Sequence, residues 1–361
     1  MTKLTDLYDI EGQSPWLDNV RRDWLRDGTM ARLIADGVRG VTSNPTIFAK
    51  AIAATDEYDE QLATLRDETP DEAFATIAGK DIADTAALLA GVHESSGGAD
   101  GFVSFEVPPT LAYDTDGTLA AARQDASRFA LPNLLVKVPA TEAGLAAITA
   151  LISEGTSVNV TLIFGLGRYD EVIDAYLAGL ESAAAQGRDL SAISSVASFF
   201  VSRVDTEVDM RLEKLGAPEA LRGRAAVAQA VLAYEQFTRR FAEGRFDVLQ
   251  AKGARPQRPL WASTSTKNPA YPDLLYVDSL IGPMTVNTMP DGTIKDFLDH
   301  GQVARSIDSD VEGANATLAS LKDAGVSLEE VATVLEQQGV DSFADSYHQL
   351  VSIIEGKRSA S

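Results

Sequence analysis

Short runs rich in β-branched and aromatic residues alternate along this chain with longer stretches whose apolar positions recur every three or four residues. Eight runs have strand character: Gln13–Asp18, Gly37–Thr42, Gly101–Val107, Leu134–Val138, Ser157–Phe164, Ala192–Ser198, Pro259–Thr264 and Pro283–Thr288. Amphipathic patterns between them predict helices at Asn19–Ala35, Thr118–Phe129, Ala143–Ser153, Gly167–Gln186, Val201–Leu215 and Pro218–Ala242. Two or three short helices are predicted between Thr55 and His93, and another from Phe246 to Lys252. Such alternation implies a parallel sheet with helical crossovers. Eight repeats favour a single closed (β/α)8 TIM-type barrel, of α/β class, over an open doubly wound sheet. Beyond the last strand, Thr293–His300, Asp310–Ala324, Ser327–Gln338 and Asp341–Glu355 look helical, with a capping-box pattern at Ser327 and Glu330. The expected organisation is a barrel over residues 1–300 and a C-terminal helical extension, 301–361, packed on it.

A strand in a parallel barrel is buried on both faces and should be apolar throughout. Four of these are not. Ser157, Asn159 and Thr161 share one face of their strand, and Val158, Val160 and Leu162 the other. Ser104 and Glu106 likewise oppose Val103, Phe105 and Val107. Ser14, Trp16 and Asp18 share a face. Lys137 stands alone among Leu134, Leu135, Val136 and Val138. The outer faces must meet helices, so the polar faces turn inward, where an unpaired charge is costly. One solution is a self-satisfied polar plug. The other is convergence on a cavity at the C-terminal strand ends, where barrel active sites sit. A lysine and two carboxylates spread over these strands favour the cavity.

Composition narrows the chemistry. Of 361 residues, 45% are apolar, enough to exclude a disordered polymer. The formal charge of −22 repels phosphate backbones and anionic lipid, so neither nucleic acid nor membrane is expected as a partner. The chain has no cysteine, hence no disulfide or thiolate nucleophile, and its three histidines (His93, His300, His348) are scattered. We therefore expect no metal and no cofactor. The dinucleotide-like Gly165–Leu–Gly167 turn has Asp170 where a third glycine belongs, and the glycosylation patterns at Asn159 and Asn315 read as chance. No apolar leader or bilayer-length stretch is visible, so a cytoplasmic location is expected.

Within that set, Lys137 is the candidate nucleophile, condensing with a carbonyl as a Schiff base. Its apolar neighbours Leu135, Val136, Val138 and Pro139 would favour the free amine by desolvation. Glu106 and Asp18 are candidates for the proton transfers. Because a carboxylate beside Lys137 favours the charged amine, at least one should act through a water, with Thr161 as its partner. Ser198 to Arg203 ends a strand and opens a helix, a junction that offers N–H groups to an anion, and Ser263 to Asn268 adds hydroxyls and Lys267 after the next strand.

Several segments together resemble the transaldolase family: Gly40–Val–Thr–Ser–Asn44–Pro–Thr–Ile–Phe48, Val136–Lys137–Val138–Pro139–Ala140–Thr141, Asn159–Val–Thr161–Leu–Ile–Phe164, Ser198–Phe–Phe–Val–Ser–Arg203 and Val286–Asn287–Thr–Met–Pro290. The match runs from about residue 10 to 300. The Gln13–Asp18 start and the segment from Trp261 through Lys267 are similar to the longer bacterial branch. The resemblance implies transfer of a dihydroxyacetone unit between sugar phosphates: sedoheptulose 7-phosphate and glyceraldehyde 3-phosphate give erythrose 4-phosphate and fructose 6-phosphate in the non-oxidative pentose phosphate pathway. A monomer or homodimer is expected. By the same resemblance Lys137 is the Schiff-base lysine and Asp18 the acid/base at the C4 hydroxyl. Glu106 and Thr161 hold the catalytic water, Asn44 and Asn159 bind the dihydroxyacetone hydroxyls, and Ser198 and Arg203 bind phosphate. Many members carry an arginine after the seventh strand where this chain has Thr266–Lys267, so Lys267 is assigned to phosphate as a point charge without arginine's fork. The alternatives are a fructose 6-phosphate aldolase-like lyase, which by resemblance lacks a glutamate at position 106, and a non-catalytic sugar-phosphate-binding barrel.

Overall fold

The computed structural model describes every residue except Glu243 and Ser361. Seven strands form one parallel, curled sheet: β1 (Ser14–Leu17), β2 (Val103–Glu106), β3 (Leu134–Pro139), β4 (Val158–Ile163), β5 (Ser195–Phe200), β6 (Arg258–Ala262) and β7 (Val286–Met289). Their order is β1-β7-β6-β5-β4-β3-β2. Each overlaps a predicted strand.

The eighth predicted strand, Gly37–Thr42, is corrected to a single bridging residue. Val41 pairs with Leu17 of β1 on one side and Val103 of β2 on the other. The Thr42 N–H donates to the Leu17 carbonyl and the Val41 N–H to that of Phe102, each at 2.9 Å. Two glycines shape this segment. Gly37 has φ +118°, which L side chains avoid. Gly40 lies against the Trp16 ring, where a Cβ would come within 2.4 Å. The backbone thins here to admit the indole.

Helices cover the outer faces. The predicted Asn19–Ala35 helix is two, Arg22–Arg26 and Thr29–Ala35, separated by Gly28 at φ +80°. The short helices expected before His93 are Asp59–Ala63 and one long helix, Pro70–Ser95, opened by a capping box between Thr69 and Glu72. Gly79 does not interrupt the long helix, because the Phe129 ring packs where its side chain would be. The two C-terminal segments are likewise one helix, Leu328–Ala360, continuous through Gly339. Ser327 Oγ accepts from the Glu330 N–H at its start, at 3.2 Å. Three α-helices escaped the sequence pattern, Lys3–Asp9, Pro45–Ala53 and the short Leu275–Asp278. Among the described residues no helix is long and apolar enough to cross a membrane.

Candidate active site

Strand register sets the first three side chains. Glu106 pairs with Lys137 across β2 and β3, and Lys137 with Asn159 across β3 and β4. The three stand abreast on adjacent strands while Val136, Val138, Val158 and Val160 are buried beside them. Lys137 Nζ donates to Glu106 Oε2 and to the Ser43 carbonyl, each at 3.0 Å. Asn159 donates to Ser104 Oγ at 2.9 Å and accepts from Ser198 Oγ at 2.7 Å.

The loop after Val41 supplies a second layer. Thr42 Oγ1 donates to Asp18 Oδ1 at 2.7 Å and lies 2.7 Å from Thr288 Oγ1. Ser43 Oγ donates to the Ser104 carbonyl, which turns the Ser43 carbonyl's peptide toward the lysine. Asn44 caps the Pro45–Ala53 helix, accepting from the Ile47 N–H at 3.0 Å, with Pro45 at its first position. Each residue of the Thr42–Pro45 segment thus holds either the site or the helix behind it.

These residues surround a cavity of about 130 Å³ at the C-terminal strand ends. Seven of the nine residues expected from sequence line it: Asp18, Asn44, Lys137, Thr161, Ser198, Arg203 and Lys267. Glu106 and Asn159 join through Lys137 and Ser198. Burial raises the carboxyl groups of both Asp18 and Glu106 above their ordinary values, and the Lys137 charge offsets part of that in each case. Glu106 touches the amine directly. Asp18 makes its hydrogen bond to Thr42 instead. Thr161 Oγ1 is buried and has no hydrogen-bond partner among the described residues.

Opposite them, Arg203 stands in the first turn of the helix Ser202–Leu215, which no side chain caps. Its guanidinium lies 5.6 Å from the Phe200 ring centroid and has no ion pair among the described residues. Burial pushes it below its ordinary value. Ser202 and Ser263 hydroxyls meet at 2.9 Å beside it, and Ser263 holds φ +57° at the end of β6. Lys267 is exposed and donates to Ser265 Oγ at 2.6 Å.

Sequence reasoning missed Phe343, which reaches the cavity from the C-terminal helix with its ring centroid 5.5 Å from Lys137 Nζ. Its place in an amphipathic helix marks it only as buried. It also missed that Ser14 and Trp16 lie outside the cavity: both bond Asp100 at the opposite strand ends. No three His, Asp or Glu side chains cluster to hold a metal among the described residues.

Fold and site together define an α/β protein with a buried lysine, one buried and one half-buried carboxylate, and an arginine without an ion pair among the described residues, around one small cavity. The chain belongs to the Transaldolase/Fructose-6-phosphate aldolase family, whose model matches residues 15–354. It is 52% identical over 349 residues to a transaldolase of Frankia alni, covering 95% of this chain and 94% of that one. A transaldolase of Thermobifida fusca is 51% identical over 346 residues, 94% of each chain. Transaldolase 1 of Streptomyces coelicolor is 51% identical over 350 residues, 95% of this chain and 92% of the relative.

Proposed function

We propose that this chain is a transaldolase that carries a dihydroxyacetone unit between sugar phosphates on Lys137. The observation that carries the reading is the Lys137 amine, 4% exposed, held 3.0 Å from Glu106 in a cavity that Asp18 also lines. The reaction starts when Nζ attacks the C2 carbonyl of a ketose phosphate. Loss of water leaves an iminium. Asp18 takes the C4 hydroxyl proton, the C3–C4 bond breaks, and its electron pair flows to the iminium nitrogen. An aldose phosphate leaves and a three-carbon enamine stays on Lys137. The same steps in reverse add it to a second aldose phosphate.

Each group's setting suits its part. Carboxyls raised by burial take and return protons nearer neutral pH than exposed ones. Glu106 and Thr161 hold the water made and used at C2, for which the unpartnered Thr161 hydroxyl has capacity. Asn44 and Asn159 bind hydroxyls of the three-carbon unit. Ser198 and Arg203 bind the phosphate, and an anion there would pair a cation that burial disfavours. Lys267 adds a point charge at the rim.

The architecture reads as an eight-membered (β/α)8 barrel in which Val41 stands for a strand, with residues 301–361 a helical extension on it. Sugar-phosphate substrates, the cytoplasm and a monomer or homodimer complete the proposal. Borohydride reduction with fructose 6-phosphate tests it: peptide mapping should find a three-carbon adduct on Lys137. Unchanged protein mass under turnover conditions would refute the imine. Free dihydroxyacetone released as fast as fructose 6-phosphate is consumed would make the chain a lyase.

A further inference from the structure

The helix Leu328–Ala360 turns one continuous face toward the C-terminal strand ends. Gly339, Phe343, Ser346 and Tyr347 follow the spacing i, i+4, i+7 and i+8. At Gly339 the helix meets β4, where a Cβ would stand 3.0 Å from Leu162 Cδ2. Leu162 itself has φ +61°, within the stretch where β4 shifts register against β5 between Val160 and Ile163. The irregular end of β4 and the missing side chain of Gly339 therefore fit one another. Further along, Thr46 Oγ1 donates to Ser346 Oγ at 2.8 Å, and the Tyr347 hydroxyl donates to Asp71 at 2.9 Å. Near the helix end, Lys357 bonds the Thr55 carbonyl and Asp59, and Arg358 the carbonyls of Arg66 and Glu68.

Between these anchors Phe343 is 5% exposed, and it is the one described residue of this helix that lines the cavity. Its ring faces the Lys137 amine. The hydrogen-bond partners of that amine, Glu106 and the Ser43 carbonyl, are polar and can hold a water. The ring cannot.

Resting on the transaldolase reading of the site, we infer that Phe343 is a specificity-determining residue that decides whether the three-carbon unit is transferred or released. Release needs two steps. A proton must reach C3 of the enamine to regenerate the iminium. Water must then bond through its oxygen to C2, the C2–Nζ bond must break with its electron pair going to nitrogen, and both water protons must end on the lysine as ammonium. Free dihydroxyacetone departs with no oxidant or reductant. Phe343 occupies one approach to the iminium with a surface that neither donates nor accepts hydrogen bonds, and so slows the water step. Its π face also favours the iminium charge. Transfer needs only the aldehyde, which enters from the phosphate side at Arg203.

The test is the ratio of free dihydroxyacetone released to three-carbon units transferred, with fructose 6-phosphate as donor and erythrose 4-phosphate as acceptor. Phe343→Ala should raise that ratio about tenfold, and the borohydride-trappable adduct should decay correspondingly faster once donor is removed. Phe343→Leu, which keeps most of the apolar volume, should raise it less and carries the test if the alanine variant does not fold. Tyr347→Phe removes an anchor of the same helix without touching the amine and should leave the ratio unchanged. An unaltered ratio in folded Phe343 variants that still transfer overturns the inference. So does an equal rise in Tyr347→Phe, which would assign the effect to helix docking. Wild-type protein that forms no adduct would take down the transaldolase reading itself, and this inference with it.

Discussion

The two ends of the sheet's interior treat buried charge in opposite ways. At the N-terminal strand ends, Asp100 accepts from Ser14 Oγ, from Trp16 Nε1 and Arg39 Nε at 2.9 Å, and from Arg258 Nη2 at 3.4 Å. Arg258 Nη1 also donates to Ser14 Oγ at 2.8 Å. Acid and bases are paired there. At the C-terminal ends, Asp18 has one side-chain donor, Thr42, the Thr161 hydroxyl has none, and Arg203 faces no carboxylate among the described residues. Both ends are polar and buried. Only the second keeps charge capacity for a ligand, which separates a structural plug from a site.

The sharpest way to break this contrast is to delete one charge at each end. Lys137→Ala should lower turnover by at least about 10³-fold in a steady-state assay. Its stability should depend on pH. Glu106, already raised by burial, loses the lysine charge that offsets the rise, so its folded-state value climbs further. The folded state then holds the Glu106 proton more tightly than the unfolded state does. Stability is retained below the ordinary value of 4.5 and falls as pH climbs from there through the raised value. Thermal denaturation at pH 5 and pH 8 would show it; equal loss at both would separate Glu106 from the lysine. Asp100→Ala should do the reverse, costing roughly 1–3 kcal/mol by stranding two half-buried guanidinium groups. Turnover per folded molecule should stay within about twofold. A large loss of turnover in folded Asp100→Ala would erase the distinction between plug and site.

Asp18→Asn should be smaller in both respects. Turnover should fall about 10²-fold, while stability at neutral pH rises. The folded-state value of Asp18 lies above the unfolded one, so its carboxyl lowers stability as pH climbs from about 3.8 through the raised value. Asparagine has no such cost, so the gain should vanish in denaturation curves taken below pH 3.8. Arg203→Ala should raise KM about 10- to 100-fold for phosphorylated sugars and leave unphosphorylated ones alone. Equal changes on both would remove Arg203 from the phosphate. Lys267→Ala, on an exposed side chain, should change KM only about two- to threefold.

Much of this was legible along the chain. The alternation of polar and apolar residues in Ser157–Leu162 and Val103–Val107 is a local property of a strand, and it places Asn159, Thr161 and Glu106 on inward faces without any knowledge of neighbours. The Thr42–Pro45 segment was recognisable by resemblance, yet its physical work was not, because that lies in contacts with Asp18, Ser104 and Lys137. Two errors share a cause. Gly40 and Gly339 read as breaks or as nothing in one dimension. In the fold each is a place where another element comes close, the Trp16 ring in one case and β4 in the other. Gly40 lies within the predicted strand Gly37–Thr42, and Gly339 leaves a helix intact. Ser14 and Asp18 offer the same lesson: one strand face and one periodicity, but a strand has two ends, and only the register with β7 and the approach of Asp100 sort the plug from the site.

The sequence alone determined the parallel α/β plan, the inward polar faces and the lysine that must be the nucleophile if there is one, because side-chain period and residue type are local. The tertiary structure decided that Glu106 touches that lysine directly, that Trp16 fills the base in place of lining the cavity, and that Phe343 covers the amine. Those depend on which residues far apart in the chain are pressed together, and no periodicity within a strand or helix encodes the height at which its neighbour stops.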